Sequence, residues 1–158
     1  MTSDRTTELA RAVGHRLVER SAVLAVAESC TAGAVAAALA AGGDAETWLR
    51  AGLVAYQEPV KRTLLGVRSS SLVVAAAAAE MVRGAAALFE TPVALATTGV
   101  FGDEAVDGVA PTTVAIATLV GDDVRVADHR LDDDPAAATD QAVDLALGHL
   151  IDHLDQRP

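Results

Sequence analysis

The sequence predicts a layered α/β domain with a mixed, mostly parallel sheet of about five strands and four main helices. Short apolar runs alternate with longer segments of helical periodicity, the pattern of strands that lie between packed helices. Hydrophobic residues make up 51% of the 158 positions, so we expect residues 1–158 to form a single domain with one sizeable core. Two apolar runs flank Gly121-Asp122-Asp123, and a turn of this kind joins antiparallel strands, which makes the sheet mixed.

The first half of the chain is predicted to hold three helices and two strands. Leu9, Val13 and Leu17 recur at helical spacing and give the first helix one apolar face. The continuous apolar run Val23–Ala27 is typical of a strand that is buried on both faces. The predicted elements are a helix from Asp4 or Thr6 to Arg20, a strand at Val23–Ala27, a helix at Ala32–Ala41, a strand at Leu49–Tyr56 and a short helix at Pro59–Leu65.

The second half is predicted to hold a long helix, three strands and a final helix. Ser69, Ser70 or Ser71 would cap the long helix, because serine side chains accept from the free N–H groups at a helix start. Asp134 and Pro135 suit the cap and the first turn of the final helix. The predicted elements are a helix ending at Phe89, strands at Val93–Thr98, Thr112–Val120 and Val124–Leu131, a loop at Gly99–Ala110 and a helix at Ala136–Leu154.

Composition and charge exclude several classes of partner. The formal net charge is −10 and the pI is about 4.6, whereas DNA binding needs clustered cations that displace counterions. Aromatic residues are 3%, too few for a surface on which single strands stack. No apolar run reaches the ~20 residues of a membrane span, and Met1–Thr7 has no apolar signal core. We therefore expect a cytoplasmic protein that binds neither nucleic acid nor membrane.

Polar segments follow three of the predicted strands, at the sheet edge where ligands of such folds bind. Residues 27–33 (Ala-Glu-Ser-Cys-Thr-Ala-Gly) place a hydroxyl beside a helix start, whose free N–H groups would hold an anion or a developing oxyanion. Tyr56 and Lys61 are the only tyrosine and the only lysine, and a buried lysine activates a serine while a phenol relays the proton. In the third segment, Thr98 would donate to a substrate.

Each segment also has an ordinary structural interpretation. Ser29 and Thr31 are common helix caps. Tyr56 and Lys61 suit a half-buried phenol and a surface amine, and Thr98 suits a β-branched strand end before a turn. Considered separately, each segment is consistent with both the functional and the structural interpretation.

The sequence predicts no metal site. The single cysteine, Cys30, excludes an internal disulfide and a zinc site built from cysteines. His149 and His153 are four residues apart and with Asp152 are a conceivable metal site. Because no third close ligand follows, we favour a surface face at a helix C-terminus, where cations suit the helix dipole. The run 132–134 (Asp-Asp-Asp) lacks the spaced ligands of a calcium loop and is read as a capped turn.

Taken together, the three polar segments resemble one known family. Their order is Glu28-Ser29-Cys30-Thr31-x-Gly33, then Val54-Ala55-Tyr56-x-x-x-x-Lys61, then Thr98-Gly99 before a glycine-containing loop. This order and spacing resemble the CinA C-terminal domain family, also known as the nicotinamide-nucleotide amidase family. The resemblance runs from Leu9 to about Leu150.

The resemblance implies a three-layer α/β/α sandwich, hydrolysis of the carboxamide of nicotinamide mononucleotide or a related amide, and no cofactor. Ser29 would be the nucleophile, and Tyr56 and Lys61 would activate it and pass protons. Residues that would line the substrate site are Thr31, Ala32, Gly33, Thr98 and Gly99, with backbone N–H groups of residues 29–33 stabilising the oxyanion. Cys30 would be a neighbour of the nucleophile. Family members often self-associate, so we expect a homo-oligomer.

The chain departs from the family pattern where a nucleotide phosphate would bind. Ala32 stands where the family usually has the first of two glycines. The loop 99–110 carries Asp103, Glu104 and Asp107, which would repel a phosphate if they faced the site. Residues 135–141 contain none of the arginines that the family carries there. The alternative prediction is therefore a catalytically impaired CinA-like binding or regulatory protein with a remodelled pocket, one that Phe101 or its loop would fill.

Overall fold

The computed structural model describes residues 3–157 and contains a five-stranded sheet in the order β2-β1-β3-β4-β5. The elements are α1 (Asp4–Glu19), β1 (Leu24–Glu28), α2 (Ala34–Ala40), α3 (Ala45–Trp48), β2 (Leu49–Val54), α4 (Glu58–Leu65), α5 (Ala75–Phe89), β3 (Val93–Val100), β4 (Thr113–Val120), β5 (Asp123–Arg130) and α6 (Pro135–Asp155). Strands β2, β1 and β3 are parallel, and β4 is antiparallel to both β3 and β5. Four of the five strands therefore run in one direction, which confirms the mixed, mostly parallel sheet.

Helices cover both faces of the sheet, so the three-layer α/β/α arrangement is confirmed. Helices α1, α2, α3 and α6 pack on one face around a core that contains Trp48 and most of the buried leucines. Helices α4 and α5 cover the other face with a core made mainly of alanine. The small side chains let α5 lie close to the strands, as expected for a chain with few aromatic residues. No helix within residues 3–157 is long and apolar enough to cross a membrane.

The starts of α1 and α5 differ from the predicted ones. Helix α1 is capped by Ser3, whose Oγ accepts from the N–H of Thr6 at 3.1 Å, rather than by Asp4 or Thr6. Helix α5 begins at Ala75 without a side-chain cap, so the prediction of a serine cap at Ser69, Ser70 or Ser71 is wrong. The Ser69 N–H and Oγ donate instead to the Glu80 carboxylate at 3.0 Å.

Other element boundaries follow local chemistry. Asp134 caps α6 as predicted and accepts from the N–H of Ala137 at 2.9 Å. The short helix α3 was not predicted, because four residues are too few to show a helical period. The predicted start of α2 at Ala32 is wrong, since Ala32 and Gly33 have φ values of +50° and +98° and α2 begins after them.

The histidines of α6 differ from the expected surface face. His153 is fully buried, and its ring bonds to Thr118 Oγ1 at 2.8 Å and to Asp123 Oδ2 at 3.1 Å. His149 is turned toward His129 of β5. The i, i+4 spacing therefore does not bring His149 and His153 to one ligand site, because His149 pairs with His129 whereas His153 pairs with Thr118 and Asp123.

Candidate functional site

The carboxyl ends of β1, β2 and β3 bring the three polar segments together. Glu28 is paired in register with Val54 of β2 and with Thr97 of β3. The Ser29 N–H donates to the Thr97 carbonyl at 3.0 Å, and the Ala55 N–H donates to the Glu28 carbonyl at 2.7 Å. Segments that are far apart in sequence therefore share one edge of the sheet. This edge is the place where parallel α/β sheets commonly bind ligands.

Glu28 is the charged centre of this edge and is 1% exposed. Its Oε2 accepts from the Thr31 hydroxyl at 2.6 Å and from the N–H groups of Gly33 at 3.1 Å and Val35 at 3.0 Å. Its Oε1 accepts from the N–H of Ala36 at 2.8 Å. A carboxylate at a helix N-terminus is favoured by the helix dipole and by these donors. The carboxylate of Glu28 thus takes the position that an anionic ligand would otherwise occupy.

Two threonines extend the network of Glu28 into the sheet. Thr31 Oγ1 and Thr97 Oγ1 lie 2.7 Å apart, and both residues are buried. Because the Thr31 hydroxyl donates its one proton to the Glu28 carboxylate, the Thr97 hydroxyl must donate to Thr31. Thr31 is therefore held inside the protein by two hydrogen bonds. It supports the turn rather than presenting a free hydroxyl to a substrate.

The turn after Ser29 leaves fewer free N–H groups than the sequence predicts. The Ala32 N–H donates to the Ser29 carbonyl at 3.0 Å, and the N–H groups of Ser29 and Gly33 are used by Thr97 and Glu28. Within residues 3–157, this leaves the N–H groups of Cys30 and Thr31 without an oxygen acceptor. Both of these N–H groups face the Cys30 sulfur, a weak acceptor that an oxyanion would have to displace.

The nucleophile predicted from the sequence and its neighbouring thiol are both shielded. Ser29 is 7% exposed, and its Oγ is not among the fully buried side-chain atoms that lack a partner within residues 3–157. Cys30 is partly buried, and burial raises the pKa of its thiol to about 12. The thiol therefore stays protonated at neutral pH, which makes it a poor nucleophile.

Lys61 is the buried cation of the site. Its side chain is on α4, and the residue is 4% exposed. Nζ donates to the backbone carbonyl of Tyr56 at 3.1 Å. Burial lowers the pKa of Lys61, against the opposing charges of Cys30 and Glu58. The Tyr56 carbonyl follows Ala55, whose N–H donates to the Glu28 carbonyl, so the amine lies at the same edge of the sheet as the end of β1.

Tyr56 contributes differently from the sequence-based expectation. The residue is 62% exposed, and its contact with Lys61 is made through the carbonyl oxygen rather than the phenol. The structural interpretation considered above placed the lysine on the surface and the tyrosine half-buried. In the structure the lysine is buried and the tyrosine is exposed. The backbone of Tyr56 therefore orients the amine, while the phenol lies at the solvent side of the site.

The third segment serves the sheet. Thr98 is fully buried and its hydroxyl donates to the carbonyl of Leu72 at 2.6 Å, so its proton is already used. A Cβ on Gly99 would lie 2.1 Å from the carbonyl oxygen of Thr113 on β4. Glycine is required there because the two strand backbones approach closely. Both residues shape the floor of the site through the sheet.

Comparison with known proteins shows the family to which the chain belongs. The sequence model of the CinA C-terminal domain matches residues 6–154 of the chain. The chain belongs to the CinA C-terminal domain family. A CinA-like protein of Shewanella sediminis is 36% identical over 123 residues, which are 74% of this chain. The chain spans about 29% of the length of that relative.

Solved structures of the family share the fold. A CinA superfamily protein from Klebsiella pneumoniae superposes with a TM-score of 0.89 at 32% identity, covering 96% of this chain and 98% of that chain. The competence/damage inducible protein CihA from Agrobacterium tumefaciens superposes with a TM-score of 0.90 at 27% identity, covering 98% of both chains. The α/β architecture of this CinA-family chain is therefore that of the solved family structures.

Sequence reasoning missed Glu28 and Thr97 as members of this site. Both lie inside predicted buried strands or at their ends, where a charged or polar residue needs a partner. A glutamate at the end of the apolar run 23–27 was the available signal. It indicates a carboxylate that turns back to cap the following helix.

Proposed function

We propose that this CinA-family chain is an amidohydrolase that converts the carboxamide of nicotinamide mononucleotide or a related amide to the acid and ammonia. The observation that carries the proposal is the environment of Lys61. The only lysine of the chain is buried, its Nζ donates to the Tyr56 carbonyl just after the point where β2 joins Glu28 of β1, and burial lowers its pKa. An amine with a lowered pKa is deprotonated more readily and can act as a general base.

The proposed reaction uses Ser29 and Lys61 in two steps. Ser29 Oγ attacks the amide carbonyl carbon while its proton passes to the neutral Nζ of Lys61, directly or through the Tyr56 phenol. The tetrahedral intermediate then expels the amide nitrogen, which takes the proton from Lys61 and leaves as ammonia. Water attacks the resulting ester, gives its proton to the same amine and releases the acid with the Ser29 hydroxyl restored.

The oxyanion of the intermediate would be stabilised by the N–H groups of Cys30 and Thr31. These groups have no oxygen acceptor among residues 3–157. Donors that are already oriented in the resting protein lower the barrier without reorganisation. Ala32 and Gly33 would line the substrate, while Thr98 and Gly99 would shape the floor beneath it through the sheet, and no metal or organic cofactor enters these steps.

A second candidate function is a binding or regulatory role on the same fold. Ala32 is exposed, so its methyl group stands on the surface of the turn where the family usually has glycine. Asp103, Glu104 and Asp107 are also exposed. Phe101 packs, partly buried, against the core cluster that includes α6. The three acidic side chains would repel a nearby phosphate. They would not repel an uncharged ligand, which such a protein would bind without turnover.

We also propose the setting in which the chain works. The negative net charge favours small-molecule ligands over nucleic acid or membrane, and a cytoplasmic location is consistent with this. Val54, Tyr56 and Leu64 are exposed apolar residues near the open edge of β2. Such a surface supports self-association into a homo-oligomer.

The proposal is tested by incubating the purified protein with nicotinamide mononucleotide and, separately, with nicotinamide, and measuring ammonia release. We expect release that is lost in Ser29→Ala and reduced at least about a hundredfold in Lys61→Met, which keeps the length of the side chain without the amine. The matched control Cys30→Ala should keep most of the activity, since its thiol is protonated. Release should rise with pH and level off below 10.5, the ordinary pKa of lysine.

The outcomes separate the two candidate functions. Turnover that survives in Ser29→Ala would contradict the serine mechanism. Absence of ammonia from every amide tested, together with saturable binding of one of them, would favour the binding role. Turnover of nicotinamide but not of its nucleotide would support the amidase with a substrate that lacks the phosphate.

A further inference from the structure

Two histidines contact each other at the β5 edge of the sheet, away from the candidate site. His129 lies on β5, the edge strand opposite β2, and His149 lies on α6. Their Nε2 atoms are 2.7 Å apart, and the two ring planes are tilted by 36°. Only one Nε2 can carry a hydrogen, because two N–H groups at this distance would collide. The two rings therefore point their Nε2 atoms at one small volume.

We infer that His129 and His149 form a binding site for a divalent transition-metal ion such as Zn²⁺ or Ni²⁺. Neutral imidazole is a preferred ligand of these ions. Two nitrogens about 2.0–2.1 Å from one ion are about 2.9 Å apart at the right angle of a tetragonal Ni²⁺ site and about 3.3 Å apart at the tetrahedral angle of Zn²⁺. The observed separation of 2.7 Å is close to the first value, so the pair fits Ni²⁺ better than Zn²⁺. A small movement of one ring would thus admit the ion.

The surroundings leave room for the remaining ligands. A cavity of about 210 Å³ borders His149 and is also lined by Asp152 and Gln156. Asp152 is three residues along α6 from His149, on the same side of the helix. Within residues 3–157, no three His, Cys, Asp or Glu side chains form a ready metal-binding group. The two histidines would therefore be the first protein ligands of the ion. Water in the cavity and, after a change of rotamer, the Asp152 carboxylate would complete its coordination.

The charges near the pair are compatible with a bound cation. Arg125 also lines the cavity, but its guanidinium is engaged by Gln156 Oε1 at 2.7 Å and by Asp123 Oδ2 at 3.3 Å. Burial and, second, His129 lower the pKa of His149, while Asp152 raises it.

This site is separate from the proposed amidase centre. It lies between β5 and α6, whereas Ser29 and Lys61 lie at the carboxyl ends of β1 and β2. Its metal affinity does not depend on whether the chain hydrolyses an amide. The experiment below therefore measures binding and spectroscopy, not activity.

The first test is isothermal titration of tag-free protein with ZnCl₂ and with NiCl₂ at pH 7.5. We expect the wild-type protein to bind one equivalent of metal ion. His129→Asn and His149→Asn should each lower the metal affinity by about tenfold or more, since even the loss of a group that only orients a ligand costs about that much. His15→Asn is the matched control, because His15 is an exposed histidine on α1 paired only with Glu19. Equal affinity in all four proteins would overturn the proposal.

The second test needs no substitution and therefore does not depend on whether the variants fold. Paramagnetic Ni²⁺ is added to the wild-type protein and the histidine ring signals are followed by NMR. We expect the signals of His129 and His149 to broaden first and those of His15 to persist. Broadening that begins at His15 or at the N-terminus, or that spares His129 and His149, would contradict the site.

Discussion

The two buried polar clusters of this molecule are stabilised in opposite ways. At the candidate site, the carboxylate of Glu28 is surrounded by three backbone N–H groups and one hydroxyl, all from residues 31–36. Between β5 and α6, the ring of His153 is held by the side chains of Thr118 and Asp123, which are 35 and 30 residues away. The first cluster is a local capping structure, and the second is a contact between distant elements.

Because their partners differ, the two clusters are expected to respond differently to pH. The donors to Glu28 are backbone N–H groups and one hydroxyl, all from the adjoining turn and helix start. The cluster around His153 contains a group with an ordinary pKa near neutrality, so its stability changes with pH. Predictions for the two clusters therefore differ in both size and pH dependence.

The largest effect is expected from removing the acceptor at the candidate site. Glu28→Ala would leave three N–H groups and the Thr31 hydroxyl buried without their acceptor. We expect a loss of at least about 3 kcal/mol in the free energy of unfolding, measured by urea denaturation. Glu28→Gln, which keeps the shape and one acceptor oxygen, should lose less.

Glu80→Ala is the matched control for this prediction. Glu80 also accepts from two backbone N–H groups and a hydroxyl, those of Arg68 and Ser69, but near the surface. Water can replace the lost acceptor there, so we expect a loss of about 1 kcal/mol. Equal losses in the two variants would show that burial does not decide the cost.

A smaller, pH-dependent effect is expected at His153. Burial lowers the pKa of His153 despite the neighbouring Asp123. The unfolded chain then binds a proton more readily than the folded protein, so stability is complete above the ordinary pKa of 6.5 and falls as pH decreases through and below it. One such group changes the free energy of unfolding by at most about 1.4 kcal/mol per pH unit.

The check is urea denaturation of the wild type, His153→Asn and His15→Asn between pH 7.5 and 5. We expect His153→Asn to be less stable than the wild type at pH 7.5, because Thr118 and Asp123 lose a partner, but to have a shallower pH dependence. The exposed His15 serves as the control and should leave the slope unchanged. A slope that persists in His153→Asn would assign the effect to another group.

The smallest effect is expected in the turn that carries Ser29. Ala32 has φ of +50°, a conformation that costs an L-residue about 1 kcal/mol, whereas glycine adopts it freely. Part of the gain is offset by the greater freedom of glycine in the unfolded chain. We expect Ala32→Gly to raise the free energy of unfolding by at most about 1 kcal/mol.

Ala37→Gly gives the opposite sign in the same helix region. Ala37 is exposed in α2, so glycine there should lower stability by about 1 kcal/mol. Thermal or urea unfolding of both variants measures the difference. Destabilisation by Ala32→Gly of the same size as by Ala37→Gly would contradict the strain in the turn.

The order of the elements was predictable because it depends on short-range patterns. The run 23–27 has the composition of a buried strand, and Asp134 and Pro135 mark a helix start. The predicted start of α5 was wrong because a serine near a helix either caps it or bonds elsewhere, and the sequence does not show which. In the fold, Ser69 bonds to Glu80 and the helix begins six residues later.

The candidate site was predictable in position and less so in detail. Parallel strands end at one edge, so the segments with Ser29 and Tyr56 were expected to meet, and β1 and β2 do bring them to one edge. Which N–H groups remain free was not predictable. It depends on the left-handed turn at Ala32 and Gly33 and on the carboxylate of Glu28, which turns back into the helix start.

The α/β class, the succession of the strands and the longer helices along the chain, and the family could all be inferred from the amino-acid sequence. These depend on periodicity, caps and motifs that act over a few residues. The burial of Lys61, the contact of Thr31 with Thr97 and the contact of His129 with His149 became visible only in the folded structure. Burial and pairing depend on elements brought together from distant parts of the chain, and so do the pKa values that govern the chemistry.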